Sequence, residues 1–167
     1  VKEGLYIAHG TQDLLFVECD ESMVSFMAWW FKLGTLEETV ILENKSANFV
    51  SDGEGGKSSA GKISFDGMNA KLTLDENRMS YFNEVTEYTW LRTSMWELSD
   101  EQLREVAKSL NVPETLEVEI VQSEPNYWDA SGIYITEVYV MSDGKSVASA
   151  SVNSFTGELA RNIMAYS

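Results

Sequence analysis

The chain has 167 residues, 44% hydrophobic and 11% aromatic with five tryptophans, which excludes a disordered segment and allows one domain or two small ones. With 12 basic against 27 acidic residues, the net charge of -15 excludes a nucleic-acid backbone as partner and disfavours an anionic membrane surface. Divided at residue 95, the balance is -7 (8 basic, 15 acidic) before and -8 (4 basic, 12 acidic) after, so the acidity is a property of the whole surface and not of a tail.

Residues 4–93 read as β structure almost throughout. "DLLFVEC" and "MVSFMAWWFKL" flank "DES", a turn composition, and form a hairpin. The second run admits two readings: Met23, Phe26, Met27 and Trp30 fall at helical spacing with Gly34 as a stop, whereas its Val, Phe and Trp content suits a pleated surface. The strand is preferred, because its neighbours are strands, but residues 22–33 stay open between the two. "TVILEN" follows, then "SDGEGGKSSAG" as a flexible loop, then "KISF", "AKLTL", "MSYFNEV" and "EYTWLR", separated by the turns "DGMN" and "DENR". Short strands joined by tight polar turns predict a meander closing into a small antiparallel barrel over residues 1–94.

The texture changes at residue 94. Ser99 and Gln102 make a capping box ahead of Leu103, Val106, Ala107 and Leu110 at helical spacing, which predicts a helix near 100–110. Asn111 can end it in the left-handed region, and Pro113 prevents continuation. Three strand candidates follow, "TLEVEIVQ", "GIYITEVYVM" and "KSVASASVN", the last two joined by the hairpin signal "SDG". The chain ends on a Thr-Gly turn and the short amphipathic tail "ELARNIMAY". Residues 95–167 therefore read as α+β, one helix on a three- to four-stranded antiparallel sheet.

Two stretches resemble known families. "SDGKSVASASVNSFTGEL" is similar to the end of PepSY-type domains, where a strand, a turn, a strand and a terminal D/N-x-x-TGE recur, matched here by Asn153, Thr156, Gly157 and Glu158. A cystatin-like fold fits the same order of elements. In the first half, "GLY" at 4–6, "GKISFDGMNAKLTL" and the closing "YTWLR" look like the lipocalin-like barrels of exported lipoproteins of Gram-positive bacteria. That resemblance implies that Gly4, Tyr6 and Arg92 stand where those barrels pack a Gly-x-Trp under an arginine, with tyrosine replacing tryptophan. Together the two imply export and binding, not a reaction.

Chemistry-bearing clusters are sparse. Cys19 stands alone, so no intrachain disulfide or cysteine metal site is possible, and it reads as a packed residue. His9 is the single histidine, and no G-x-S-x-G elbow accompanies it. Asp52 and Glu54 in "SDGEGG" lack the further ligands of a calcium loop, so no metal or cofactor is expected. Glu117 and Glu119 alternate on one strand face, as carboxylates in a glycosidase cleft can and as solvated strand faces also do. The longest apolar run, "FMAWWF", is too short to span a bilayer. The opening "VKEGLY" has no Met and reads as a fragment whose leader was removed, which predicts an extracellular or cell-surface protein with a lipid anchor possible upstream.

The aromatics stand out most. Trp29, Trp30 and Phe31 are consecutive, so on a strand they point to both faces. Tyr127 and Trp128 follow Pro125 among loop formers. Packing between the two halves is the first explanation for these five, and a partner or ligand surface is the second. The sequence thus predicts a non-enzymatic exported binding protein for an unknown protein partner or small apolar ligand. The alternatives are a hydrolase using carboxylates and an extracellular protease inhibitor presenting "SEPNYWDAS" as a wedge.

Overall fold

Alternation of apolar and polar residues is the local reason most of this chain is strand, and strand pairing then selects the register. The computed structural model describes residues 1–8, 13–30, 34–52, 58–76, 85–123, 127–128 and 134–167. The chain divides into two compact units, Val1–Thr93 and Ser94–Ser167.

The first unit is one antiparallel sheet of eight strands: β1 (Gly4–Ala8), β2 (Leu14–Asp20), β3 (Met23–Trp30), β4 (Gly34–Ile41), β5 (Ser46–Asp52), β6 (Ser58–Asp66), β7 (Asn69–Glu76) and β8 (Val85–Arg92). Their order is β4-β3-β2-β1-β8-β7-β6-β5, so β1 and β8 close the meander on one side and the sheet is a nearly closed barrel. Of residues 22–33, open between strand and helix, Met23–Trp30 form β3, and 31–33 lie outside the described residues. Val24, Phe26, Ala28 and Trp30 are buried at period two, while the helical set splits, with Met23 exposed and Met27 half-buried. Pairing to β2 and β4 on both sides enforces that choice. The core gathers alternate residues from all eight strands, with Phe26 edge-on to Phe49 and Tyr6 edge-on to Phe65. At eight strands such an interior is just wide enough for its own side chains.

Two expectations need correction. β4 starts at Gly34, well before "TVILEN". The loop assigned to "SDGEGGKSSAG" is in part the arms of a hairpin, since β5 runs to Asp52 and β6 starts at Ser58. β5, "SANFVSD", has little strand character of its own. Phe49 makes it one, with its ring filling the place a Cβ on its cross-strand partner Gly61 would take, 2.8 Å away. Of "MSYFNEV", residues 79–84 lie outside the described residues, and Val85 opens β8.

In the second unit the helix α1 (Asp100–Ser109) has the predicted capping box. Ser99 Oγ accepts from the Gln102 N–H at 3.1 Å, and Gln102 Oε1 accepts from the Ser99 N–H at 3.1 Å. Asn111, at φ 63°, terminates it. Leu103, Val106, Ala107 and Leu110 pack on Val138, Val140, Ala148, Ala150 and Val152 of the sheet. That sheet has five strands, not three or four: β9 (Glu119–Gln122), β10 (Tyr127–Trp128), β11 (Tyr134–Ser142), β12 (Lys145–Asn153) and β13 (Leu159–Met164), in the order β10-β11-β12-β13 with β9 also on β11. The excess has two sources. The presumed loop around Tyr127 contributes β10, and the presumed tail is β13, paired to β12 and followed by a Tyr166 N–H donating to Leu110 O at 2.8 Å.

Candidate functional site

The residues implied by the lipocalin resemblance lie along the β1–β8 ladder, Gly4 against Arg92 and Tyr6 opposite Trp90. Leu5 pairs with Arg92 and Tyr6 with Trp90 across a bulge in the β1–β8 ladder. Gly4, at φ +133°, lies so close to β8 that a Cβ there would stand 2.4 Å from Arg92 O and 2.8 Å from Trp90 Nε1. Residues 1–3 fold over this seam. The Tyr6 hydroxyl donates to Lys2 O at 2.6 Å, Trp90 Nε1 donates to Glu3 O at 2.9 Å, and Lys2 Nζ sits 3.6 Å above the Trp90 ring. The seam's tryptophan is therefore Trp90, on the strand opposite Tyr6, a residue that sequence reasoning passed over. Burial pulls the Arg92 guanidinium down to about 10, so it stays charged at neutral pH. Burial first, and Glu3 second, push the Cys19 thiol up, which is the opposite of what a nucleophile needs.

Of the five aromatics of the predicted surface, Trp29 and Trp30 have described side chains. Trp30 is buried in the barrel core, and Trp29, its neighbour on the opposite face of β3, is half-buried. Phe31 lies outside the described residues. Tyr127 and Trp128 are in β10, opposite Ile135 and Tyr134 of β11, a short strand where a loop was expected because β11 offers them a ladder; their side chains lie outside the described residues.

A different aromatic row is built in the second unit. Trp96, Tyr134 and Phe155 follow one another with ring centroids 5.6 and 6.0 Å apart. Trp96 is 47% exposed, Tyr134 half-buried and Phe155 buried, so the row runs from solvent into the fold. Each ring is positioned locally. The Trp96 and Glu97 N–H groups both donate to Ser94 Oγ, which fixes the turn before α1. Phe155 sits in the Asn153–Glu158 turn singled out in the sequence, where Asn153 Oδ1 accepts from the Phe155 and Thr156 N–H groups at 2.9 and 3.1 Å. Gly157, at φ 78°, lets that turn close, and Gln102 Nε2 donates to Phe155 O at 2.9 Å, tying turn to helix cap. Trp96 was missed although "TSMWELSD" carries the signal used for Trp128, a large aromatic in a turn-forming stretch.

Glu117 and Glu119 are both exposed; the Asp52 side chain, with Glu54 and His9, lies outside the described residues. Among the described residues no three His, Cys, Asp or Glu are grouped as a metal ion requires, and no helix is long and apolar enough to cross a membrane. A polar depression of about 380 Å³ on β6–β8 is lined by Ser64, Asp66, Asn69, Lys71, Glu87 and Thr89 among others, and Thr89 Oγ1 donates to Asn69 Oδ1 at 3.3 Å. Lys71 and Glu87 stand opposite each other there across the β7–β8 ladder. Comparison with protein-family models, with curated proteins and with solved structures finds no match to this chain.

Proposed function

We propose that this chain is an exported, non-enzymatic binding protein, a lipocalin-like barrel followed by a PepSY- or cystatin-like helix-on-sheet module, that recognises a partner protein outside the membrane through an aromatic surface. The observation that carries the reading is Trp96, 47% exposed at the outer end of a row of rings whose inner member is buried. Leaving a side chain of that size in water forfeits about 1.5–3 kcal/mol that a partner recovers by covering it. A rigid, half-supported tryptophan is the kind of residue that dominates interfaces. Self-filling of the barrel by Phe26, Trp30, Phe49, Phe65 and Tyr88 favours a surface partner over a ligand held inside.

A photo-crosslinking amino acid placed at position 96 in cells that make the protein should give a discrete adduct, and the same group at exposed Lys62 should not. Equal labelling at both positions, or a hydrolytic turnover abolished by Glu119→Gln, would overturn the reading. For export, a signal segment or lipobox cysteine encoded just upstream of Val1 is the expected finding.

A further inference from the structure

β4 and β5 are the two ends of the eight-stranded sheet, and they are also consecutive in the chain. They leave the turn Asn44–Lys45, at φ 52° and 66°, as a two-residue hairpin in which Glu43 and Ser46 exchange both backbone bonds, at 2.9 and 3.2 Å. Among the described residues no ladder joins them beyond that bridge: β4 pairs with β3 and β5 with β6.

Strand geometry decides which backbone groups are left idle. N–H and C=O direction alternates along a strand. Ser46 spends its groups on Glu43, so Asn48, Val50 and Asp52 also face the seam. The Lys45 carbonyl accepts from the Phe65 N–H at 2.9 Å, so Ala47, Phe49 and Ser51 face β6, which agrees with that phase. The same count from Glu43 turns Ile41, Thr39, Glu37 and Thr35 of β4 toward the gap. Were the hairpin to continue, Ile41 would meet Asn48, Thr39 would meet Val50, and Glu37 would meet Asp52.

The gap is also unguarded on one side. Glu38 shares the core-facing side of β4 with Leu36 and Val40, a placement that blunts an edge. β5 has no charged residue from Ser46 to Ser51 and no proline. Ile41 and Val50, on the two lips, are 63% and 68% exposed. We propose that the free edge of β5 accepts an extended strand from a basic partner. Its backbone pairs with Asn48, Val50 and Asp52, an apolar β-branched residue lies between Ile41 and Val50, and a Lys or Arg two positions along on the same face answers Glu37. This surface is separate from Trp96, so either can fail without the other.

The test is calorimetric titration of the intact chain with a lysine–valine peptide, acetylated and amidated, of the sequence Lys-Thr-Val-Thr-Lys-Thr-Val, which sets lysine and valine on one face and whose length of about seven residues matches β5 at roughly 3.3 Å per residue. Saturable binding is expected, together with slowed hydrogen exchange of the Val50 amide. A glutamate–valine peptide should bind at least about tenfold more weakly, since it meets acid with acid. Val50→Pro removes a seam-facing donor and spares the β6 ladder, so it should weaken binding by roughly tenfold or more with the circular dichroism spectrum retained. Equal binding of both peptides, full binding by a folded Val50→Pro chain, or an unchanged Val50 exchange rate under saturating lysine–valine peptide each overturns the proposal. The exchange measurement uses the unaltered chain and decides the matter if the proline variant does not fold.

Discussion

Gly4 is the residue on which the barrel's closure is least forgiving. Its φ of +133° is a conformation that side-chain-bearing residues rarely adopt, and the space a Cβ needs is taken by the Arg92 carbonyl, backbone that cannot swing aside. Gly4→Ala should therefore lower stability by about 2 kcal/mol or more, read as a fall in urea midpoint with an unchanged slope. The tyrosines of the same core make a pH prediction. Burial first, then Cys19, pushes the Tyr6 phenol above its ordinary 10.0, and burial first, then Asp13, pushes the Tyr88 phenol far above it. The folded state then holds phenolic protons that the unfolded chain releases above pH 10, so stability present below that pH is lost as pH rises further. Arg92 acts in the opposite sense over the same window, because its folded value of about 10 lies below the ordinary 12.5. Two raised phenols oppose one lowered guanidinium. Tyr88→Phe should thus flatten the alkaline fall in unfolding free energy; an unchanged slope above pH 10 would remove Tyr88 from the account.

At the scale of elements, α1 is the one whose limits are local. Both capping bonds, the apolar stripe and the Asn111 terminator lie within a dozen or so residues of one another, and all were legible in sequence. Ser99→Ala should cost about 1 kcal/mol, because the Gln102 N–H then loses its acceptor. Ser99→Asp, which keeps an acceptor and adds favourable charge at the helix start, should recover most of it in the same denaturant titration. β5 is the opposite case. "SANFVSD" is small and polar, and it is a strand because Phe49 reaches over Gly61 and β6 supplies a ladder. β10 and β13 were likewise assigned to loop and tail, since two residues beside a proline, or a charged end segment, declare no strand until β11 and β12 present their edges.

For the molecule as a whole, the governing quantity is a net charge of -15 spread over both halves. Diffuse like charge works against any compact state, and salt screens it with a Debye length falling from about 30 Å at 0.01 M to about 8 Å at 0.15 M. The melting temperature should rise as sodium chloride is raised over that range, by a few degrees, and then level off. A flat or falling curve would show that local ion pairs outweigh the diffuse repulsion.

The sequence by itself determined the class of object: a mainly β, acidic chain with a strand-rich first half, one well-capped helix in the second and turns at Glu21, Gly67, Asn111 and Gly144, where positive φ is found. Those properties rest on residues close together in the chain, so propensity and spacing suffice to read them. It also marked Gly4, Tyr6 and Arg92, through the resemblance alone; Gly4 lies against the Arg92 carbonyl, and Tyr6 stands opposite Trp90. What tertiary structure decided is everything that depends on partners far apart. It chose strand over helix for 23–30, set Trp30 in the core and Trp29 on the other face, and brought Trp90 over the first three residues. It also assembled Trp96, Tyr134 and Phe155 from three separate stretches, and left β4 and β5 unzipped. An aromatic row and an idle strand edge are both relations between distant segments. Burial and hydrogen-bond satisfaction fix such relations only once the whole sheet has formed, so no window of the sequence contains them.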